Sequence, residues 1–520
     1  MADLLAAAAA QVATTGADES GAVIGLTNQQ LADVKGHAIS YAAAHGLLVH
    51  QRRAATTQPD VPSAFVHIPL CLLPVPFPRQ QFEQGVQLSP VYGHLVDRVS
   101  RDVAWLHSCV ENVGTEDAFT LRLLELSKTV QREGVQQQTY LGIHRSDYML
   151  HHAQHVTDGT VDEKQMQQQL LQVELNTIAS SFGCISSLVS DMHRFLLSRF
   201  GADMVALEEH YGIATAEYPT ALPQNDAITA IPNALAAAFK QYGVKGAVVM
   251  FLVQPDEVNA IDQRWLEYQL WEHHGIHVLR RTLAEVDAHG KLVDRDGKRT
   301  LTVDGREVAV AYFRAAYTPT DYPTEQEWAG RTIIERSYAI KCPSIAYHLA
   351  GTKKVQQVLA DPAVLRRFMS EEEATQLESS FAGLYGLEKN SATIEEVKKM
   401  AVANPHAYVL KPQREGGGNN LYGNEVASAI QDMSPAELES YILMERIFPD
   451  ENLAVLVRNN VTSSGPTISE LGMFIASLFD SEGKAILNKH AGHLLRTKLS
   501  GTDEGGVATG FSVISSPLLT

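Results

Sequence analysis

YVLKPQREGGGNNLYG, from Tyr408 to Gly423, is the stretch whose reading decides the fold. A short apolar run of strand character ends in Lys411. A loop follows with Arg414, Glu415, the glycines Gly416, Gly417 and Gly418, and the asparagines Asn419 and Asn420. Consecutive glycines admit positive φ and let backbone N–H groups crowd round an anion, forming a phosphate-binding nest. Lys411 adds positive charge at the strand end, and Glu415 offers a hard oxygen to a divalent cation bridging phosphates. The string fits neither G-x-x-x-x-G-K-[ST] nor G-x-G-x-x-G, so Walker and Rossmann readings fail. The plain alternative is a flexible surface loop, against which the interleaved Lys, Arg, Glu and paired Asn argue.

Two further stretches belong with it. In Val173-Glu174-Leu175-Asn176, residues two apart on a strand share a face, so Glu174 and Asn176 present adjacent oxygen donors. Together with Glu415 they suit Mg²⁺, although an E-x-N pair alone also fits a solvated strand face. In HLLRTKLSGTDEGGVATG, from His493, Arg496 and Lys498 alternate ahead of a glycine-rich loop, a pattern suited to an anionic substrate. Lys353 and Lys354, behind the candidate N-cap Thr352, oppose the dipole of the helix they open, which an anionic ligand would offset. Arg145 in HRSDY is a lesser signal of the same kind.

The chain has 520 residues, 42 Lys plus Arg against 60 Asp plus Glu, and a net charge of −18, with no basic stripe. That composition excludes nucleic acid and anionic lipid as partners. No apolar run approaches the ~20 residues that cross a bilayer. Cys71, Cys109, Cys184 and Cys342 are widely spaced without a C-x-x-C pair, which points to reduced core thiols, and the N-terminus shows no secretory or Arg-rich transit pattern. A cytoplasmic location is the expectation. H-E-x-x-H and G-x-S-x-G are absent, leaving zinc protease and α/β-hydrolase readings unsupported.

The first 200 residues read mostly as helix, with a strand at Gln172 to Ile178. From Gly246 a strand–helix–strand rhythm sets in, GAVVMFLV, an amphipathic stretch from Asn259 to His274, then IHVLRRTL. The stretch Lys353 to Phe368 reads as helix, and the last 110 residues as a second sheet domain with chemistry on its loops. From the residues alone this is an Mg²⁺-dependent, nucleotide-using α/β (α+β) enzyme. No protein nucleophile stands out, which suggests direct transfer between bound ligands.

The same stretches resemble the eukaryotic glutathione synthetases, of the ATP-grasp class. In family order they are LGIHRSDYM from Leu141, VELNTIASSFG from Val173, IDQR from Ile261, AYFR from Ala311, and IERSYAIKCPSIAYHLAGTKKVQQ from Ile334. VLKPQREGGGNNLYG from Val409, YILMERI from Tyr441, ISELG from Ile468 and NKHAGHLLRTK from Asn488 complete the series. The resemblance implies a circularly permuted ATP-grasp fold with an inserted α/β substrate-binding domain at 246–350. Residues 1–245 would form the helical N-terminal part and the start of the ATP-grasp body. Residues 351–520 would be the ATP-grasp domain, with its glycine-rich lid and C-terminal substrate loop. The implied activity joins γ-glutamylcysteine to glycine through an acyl phosphate, using ATP and two Mg²⁺ ions per site, in a homodimer.

By the same resemblance the metal ligands are Glu174, Asn176 and Glu415. The ATP site takes Glu174, Lys353, Lys411, Pro412, Gln413, Arg414, Glu415, Gly416, Gly417, Gly418, Asn419, Asn420 and Tyr422. It continues with Met444, Glu445, Arg446 and Ile447 along the adenine, then Glu470, Lys498 and Glu504. The peptide is held by Arg145, Ile178, Ala179, Ser180, Ser181, Glu257, Asn259, Gln263, Arg314, Tyr317, Arg496, Val507 and Ala508, and Arg145 takes the catalytic role of stabilising the transition state. Arg314-Ala315-Ala316-Tyr317 departs from the family's Arg-Asp-Gly-Tyr, Ala179 replaces a serine, and Glu504 replaces an aspartate. LPQNDAITAIPNALAAA, from Leu222, is expected to be a peripheral insertion. The alternatives are a homoglutathione-type synthetase using β-alanine or serine, and a catalytically silent ATP-grasp binding subunit.

Overall fold

A computed structural model describes residues 22–50, 64–111, 117–152, 168–388, 394–413, 419–501, 506–507 and 510–520. Its architecture is a mixed α/β one with several sheets. Four long strands form the heart of the largest sheet, β1 (Thr139–His151), β2 (Gln169–Asn176), β3 (Val461–Asp480) and β4 (Ala485–Leu499). The sheet's seven-strand order is Asn452–Arg458, Leu70–Cys71, Val513–Ser515, β4, β3, β1, β2. Val513–Ser515 lies antiparallel to β4 and parallel to Leu70–Cys71, so residues from the two ends of the chain meet in mid-sheet.

The alternation of side chains along these strands decides what each face carries. One face places Tyr148, Leu175, Leu471, Met473 and Leu495 in a core shared with the helix Arg79–Arg101. The opposite face places Ile143, Phe474, Ala476 and Leu494 under helices α1 (Gly183–Phe200) and α2 (Ala227–Tyr242). Further along the strands, that second face turns polar, and there the site lies.

All six strands of the second sheet fall between Val248 and Cys342. Val278–Arg281, Val248–Leu252, Arg306–Phe313 and Ile340–Cys342 run parallel, with α3 (Ala260–His274) as one crossover. A third, antiparallel sheet of four short strands has the order Leu384–Gly386, Tyr441–Glu445, Tyr408–Pro412, Leu421–Tyr422. Its core is its own, built on Val397, Leu410, Val426, Ile430 and Leu443.

Four expectations need correction. Leu141 to Met149 is strand, not part of a helical run, because its pairing partners β2 and β3 lie outside the local sequence window. The last 110 residues do not make one sheet: they divide among the small sheet, the large one, where β3 pairs with β1, and a two-stranded sheet in which Pro517–Leu519 pairs with Val75–Phe77. The segment from Leu222 is not peripheral, since Ala230, Ile231, Ala234 and Leu235 of α2 are buried against the large sheet and the Asn225 side chain holds the backbone of His493. Lys353 to Phe368 is two helices, Lys353–Leu359 and Pro362–Phe368, parted where Asp361 caps the second.

Candidate active site

The cleft at the polar end of the large sheet has a volume of about 730 Å³. Its floor follows from register. Arg145 stands opposite Asn176 and Asp147 opposite Glu174 across β1 and β2, Gly472 of β3 stands opposite Asp147, and Glu470 opposite Arg496 of β4. Opposed residues share a face, so four adjacent strands present Glu174, Asn176, Arg145, Glu470, Arg496 and, two residues on, Lys498 as one charged floor, with Asp147 buried on the same face among them.

These groups hold one another. Arg145 grips Asp147 with two bonds, Nε to Oδ1 at 2.6 Å and Nη2 to Oδ2 at 2.8 Å. Arg496 Nη2 donates to Asp147 Oδ2 at 2.8 Å and to Glu470 Oε1 at 2.5 Å. Burial opposes the Arg496 charge, but Glu470, Asp147 and Glu174 outweigh it and raise its pKa. Burial also pushes the Glu470 carboxyl up, with Asp147 and Glu174 adding to the effect against Arg496. Burial would likewise raise Glu174, yet Lys353, Lys411 and Arg496 outweigh it and hold its carboxyl at about 2.

Lys353 Nζ lies 3.8 Å from Glu174 Oε2, and Lys411 Nζ donates to the Val173 carbonyl at 3.0 Å. Gln356 fixes this strand end by accepting from Leu175 N at 2.8 Å and donating to Gly351 O at 2.8 Å. Gly351 must be glycine, because a Cβ there would sit 2.2 Å from Thr177 Oγ1. Lys354 turns away and pairs with Glu388, so the electrostatic signal at this helix start belongs to Lys353. The Thr352 hydroxyl donates back to the Leu349 carbonyl rather than capping the helix.

Beside the floor, the turn Ile178 to Phe182 carries two left-handed residues, Ala179 (φ 52°) and Phe182 (φ 69°). Arg314 holds it through Ser180 O at 2.7 Å and Ser181 Oγ at 2.6 Å. Asp262 accepts from Phe182 N at 2.8 Å and Ile185 N at 3.1 Å. Gln263 Nε2 and Asn259 N both donate to Glu257, and Arg280 Nη2 donates to Gln263 Oε1. Among the described residues, both polar atoms of the Asn259 side chain and Nε of Arg314 and Arg496 are buried without hydrogen bonds.

Of the residues singled out from the sequence, Arg145, Glu174, Asn176, Ile178, Ala179, Ser180, Ser181, Tyr317, Lys353, Lys411, Gln413, Asn420, Tyr422, Met444, Glu445, Arg446, Ile447, Glu470, Arg496, Lys498 and Val507 line this cleft. Glu257, Asn259, Gln263 and Arg314 form the adjoining cluster just described, and Pro412 is buried in its strand. Arg414, Glu415, Gly416, Gly417, Gly418, Glu504 and Ala508 lie outside the described residues. Asp147, Asp262, Arg280 and Gln356 were missed. The signal for Asp147 was present, because R-S-D puts Arg145 and Asp147 on one strand face.

Among the described residues no group of three His, Cys, Asp or Glu side chains suits a metal. The pair of hard oxygen donors nevertheless fits Mg²⁺. Asn176 Nδ2 points at Asp147 Oδ2 (2.9 Å) and Glu174 Oε1 (3.2 Å), so its Oδ1 is the atom left to ligate, next to an ionised carboxylate.

Fold and cleft together define a mixed α/β protein whose cleft gathers Arg145, Lys353, Lys411 and Arg496 about the carboxylates of Glu174 and Glu470. The comparisons specify it further. The model of the eukaryotic glutathione synthase family, ATP-binding domain, matches residues 28–519. The chloroplastic glutathione synthetase of Solanum lycopersicum is 42% identical over 483 residues, 92% of this chain and 82% of that protein. The enzymes of Dictyostelium discoideum and Homo sapiens are each 38% identical, over 94% of this chain and 99% and 97% of theirs. A glutathione synthetase-like effector from Globodera pallida shares the fold at a TM-score of 0.72 and 24% identity, covering 96% of this chain and 99% of its own. The chain belongs to the eukaryotic glutathione synthase family, as its motifs led us to expect.

Proposed function

We propose that this protein is a glutathione synthetase, an ATP-dependent ligase that joins γ-glutamylcysteine to glycine and releases ADP and phosphate. One observation carries the reading: Arg145, Arg496, Lys353 and Lys411 converge around the paired oxygen donors Glu174 and Asn176 in a single cleft. The cysteinyl carboxylate of the dipeptide attacks the γ-phosphorus of ATP, ADP leaves, and an acyl phosphate forms. The glycine amine then adds to the acyl carbon, phosphate departs and the amine loses a proton.

Such chemistry rests on positioning and charge stabilisation rather than on a protein nucleophile. Lys353 and Lys411 sit where phosphate oxygens need cations, and Arg145 stabilises the charge that develops on the acyl oxygen. The strand Tyr441–Glu445, with Met444 lining the cleft, offers an apolar wall for the adenine. Magnesium held by Glu174, Asn176 and Glu415 would neutralise triphosphate charge. The Ile178 to Ser181 turn, Arg314, Glu257, Asn259 and Gln263 would hold the dipeptide.

The finer fold reading belongs here too. A permuted ATP-grasp body with an inserted unit at 246–350 is supported by the second sheet, whose strands all lie within that span, and by the large sheet, which draws on both chain ends. The resemblance supports a homodimer. No helix among the described residues is long and apolar enough to cross a membrane. A cytosolic location is our reading from the sequence, although two plant relatives are named chloroplastic.

ADP release that requires γ-glutamylcysteine and glycine together tests the proposal, and its absence would leave the silent-subunit alternative. Comparing kcat/KM for glycine, β-alanine and serine tests the acceptor. One methylene is worth only about 1–3 kcal/mol, so a preference for β-alanine would be plain in that ratio.

A further inference from the structure

We infer that Asp147 is the positioning residue of this site, a single carboxylate that sets the aim of three side chains facing the ligands: Arg145, Arg496 and Asn176. The inference rests on the reading above, in which those three meet the reacting groups.

Asp147 is wholly buried and does not line the cleft. A carboxylate only accepts, and here four donors use it, one at Oδ1 and three at Oδ2. Arg145 Nε takes Oδ1, while Arg145 Nη2, Arg496 Nη2 and Asn176 Nδ2 all converge on Oδ2 at 2.8, 2.8 and 2.9 Å. Each bond fixes something the chemistry needs. The paired bonds to Arg145 lock the plane of its guanidinium. The bond to Arg496 brings a second guanidinium within reach of the first, against their mutual repulsion. The bond to Asn176 determines which end of its amide faces the metal side, since a flipped amide would turn N–H protons toward a cation.

Gly472 supplies independent support. A Cβ at this position would lie 2.7 Å from Arg145 Cδ and 2.7 Å from Asp147 Oδ1. The glycine of the ISELG stretch therefore leaves the volume in which the Arg145–Asp147 pair lies across β3. The strand's own conformation does not demand it, because Gly472 is absent from the residues with positive φ.

Asp147→Asn is nearly isosteric and cannot satisfy this set. With its NH₂ at the Oδ2 position three donors face a donor, and with its NH₂ at Oδ1 the Arg145 Nε–H does. The experiment compares wild type, Asp147→Asn, Gly472→Ala and Arg145→Ala for kcat, for the KM of each substrate, and for calorimetric Mg²⁺ dependence of ATP binding without turnover. We expect Asp147→Asn to lower kcat on the order of 10–100-fold and to raise the Mg²⁺ half-saturation by a similar factor, with little change in the KM for glycine. A merely structural residue would lower the melting temperature and leave the Mg²⁺ half-saturation in place.

Gly472→Ala changes no charge and is expected to lower kcat in the same direction, so the inference stays testable if Asp147→Asn does not fold. Wild-type kcat and Mg²⁺ half-saturation in Asp147→Asn, or wild-type kcat in Gly472→Ala, would overturn it. Arg145→Ala separates the two failures. If it is inactive while Asp147→Asn is normal, only the role of Asp147 falls. If Arg145→Ala turns over normally, the reading of the cleft falls, and this inference with it.

Discussion

The two sides of the cleft are built on different principles. The floor, carried by β1 to β4, is a network in which each charge is fixed by its neighbours on long strands with cores on both faces. The small sheet that brings Lys411 and Met444 has strands of two to five residues and a separate core centred on Leu410 and Leu443. One side obtains accuracy from mutual hydrogen bonding, the other from a modest apolar cluster. A site that aims charge at reacting atoms needs the first arrangement, and a wall for adenine needs only the second.

The sharpest test of that contrast is Arg145→Ala. Turnover should fall on the order of 10²–10³-fold while ATP affinity, measured by calorimetry, stays near wild type. A matching loss of ATP affinity would erase the division of labour.

Next is a paired truncation, Leu443→Ala in the small sheet and Leu471→Ala in the large one, both residues being fully buried. Each should cost about 2–3 kcal/mol. Leu443→Ala should show this as faster hydrogen exchange over 384–445 and weaker ATP binding. Leu471→Ala should lower the main unfolding transition instead. Equal shifts of that transition in both variants would mean that the small sheet is not separately cored.

A smaller effect follows from Glu174. Its carboxyl is ordinarily near 4.5 and sits at about 2 here, so it contributes stability above 4.5 that is lost as pH falls toward 2. Lys353→Met removes the largest of the opposing cations, so the loss of unfolding free energy between pH 6 and 3 should shrink by about 1 kcal/mol. An unchanged acid limb in urea titrations would show that Lys353 does not set this charge. The smallest effect is expected at Ala316, a non-glycine residue with φ 76° whose N–H is held by Asp321 Oδ2. Ala316→Gly should raise stability by about 0.5 kcal/mol, the relief of left-handed strain less the added chain entropy. A loss of stability in thermal unfolding would mean that the turn carries no such strain.

What could be read from the sequence was local. Glu174 and Asn176 on one strand face, Lys411 at a strand end and the strand–helix–strand rhythm after Gly246 all follow from period and composition. What escaped depends on distant pairing. Asp147 gains its meaning only when β4, some 350 positions later, brings Arg496 beside it. The segment from Leu222 looked peripheral because alanines give little hydrophobic signal. Yet their small size is what lets α2 close on the sheet, where Ala227 packs directly over Gly492 of β4. The division of the last 110 residues among three sheets was hidden because local pattern shows a strand but not its partner.

The placement of Val513–Ser515 between β4 and Leu70–Cys71 has a consequence for how the molecule comes into being. This short stave has to dock between partners far apart in sequence, so the sheet becomes continuous only once both are in place. Until it arrives, β4 and Leu70–Cys71 hold open edges to any passing strand, a template for wrong partners. Shielding of those two edges until the stave docks therefore guards the folding chain against mispairing.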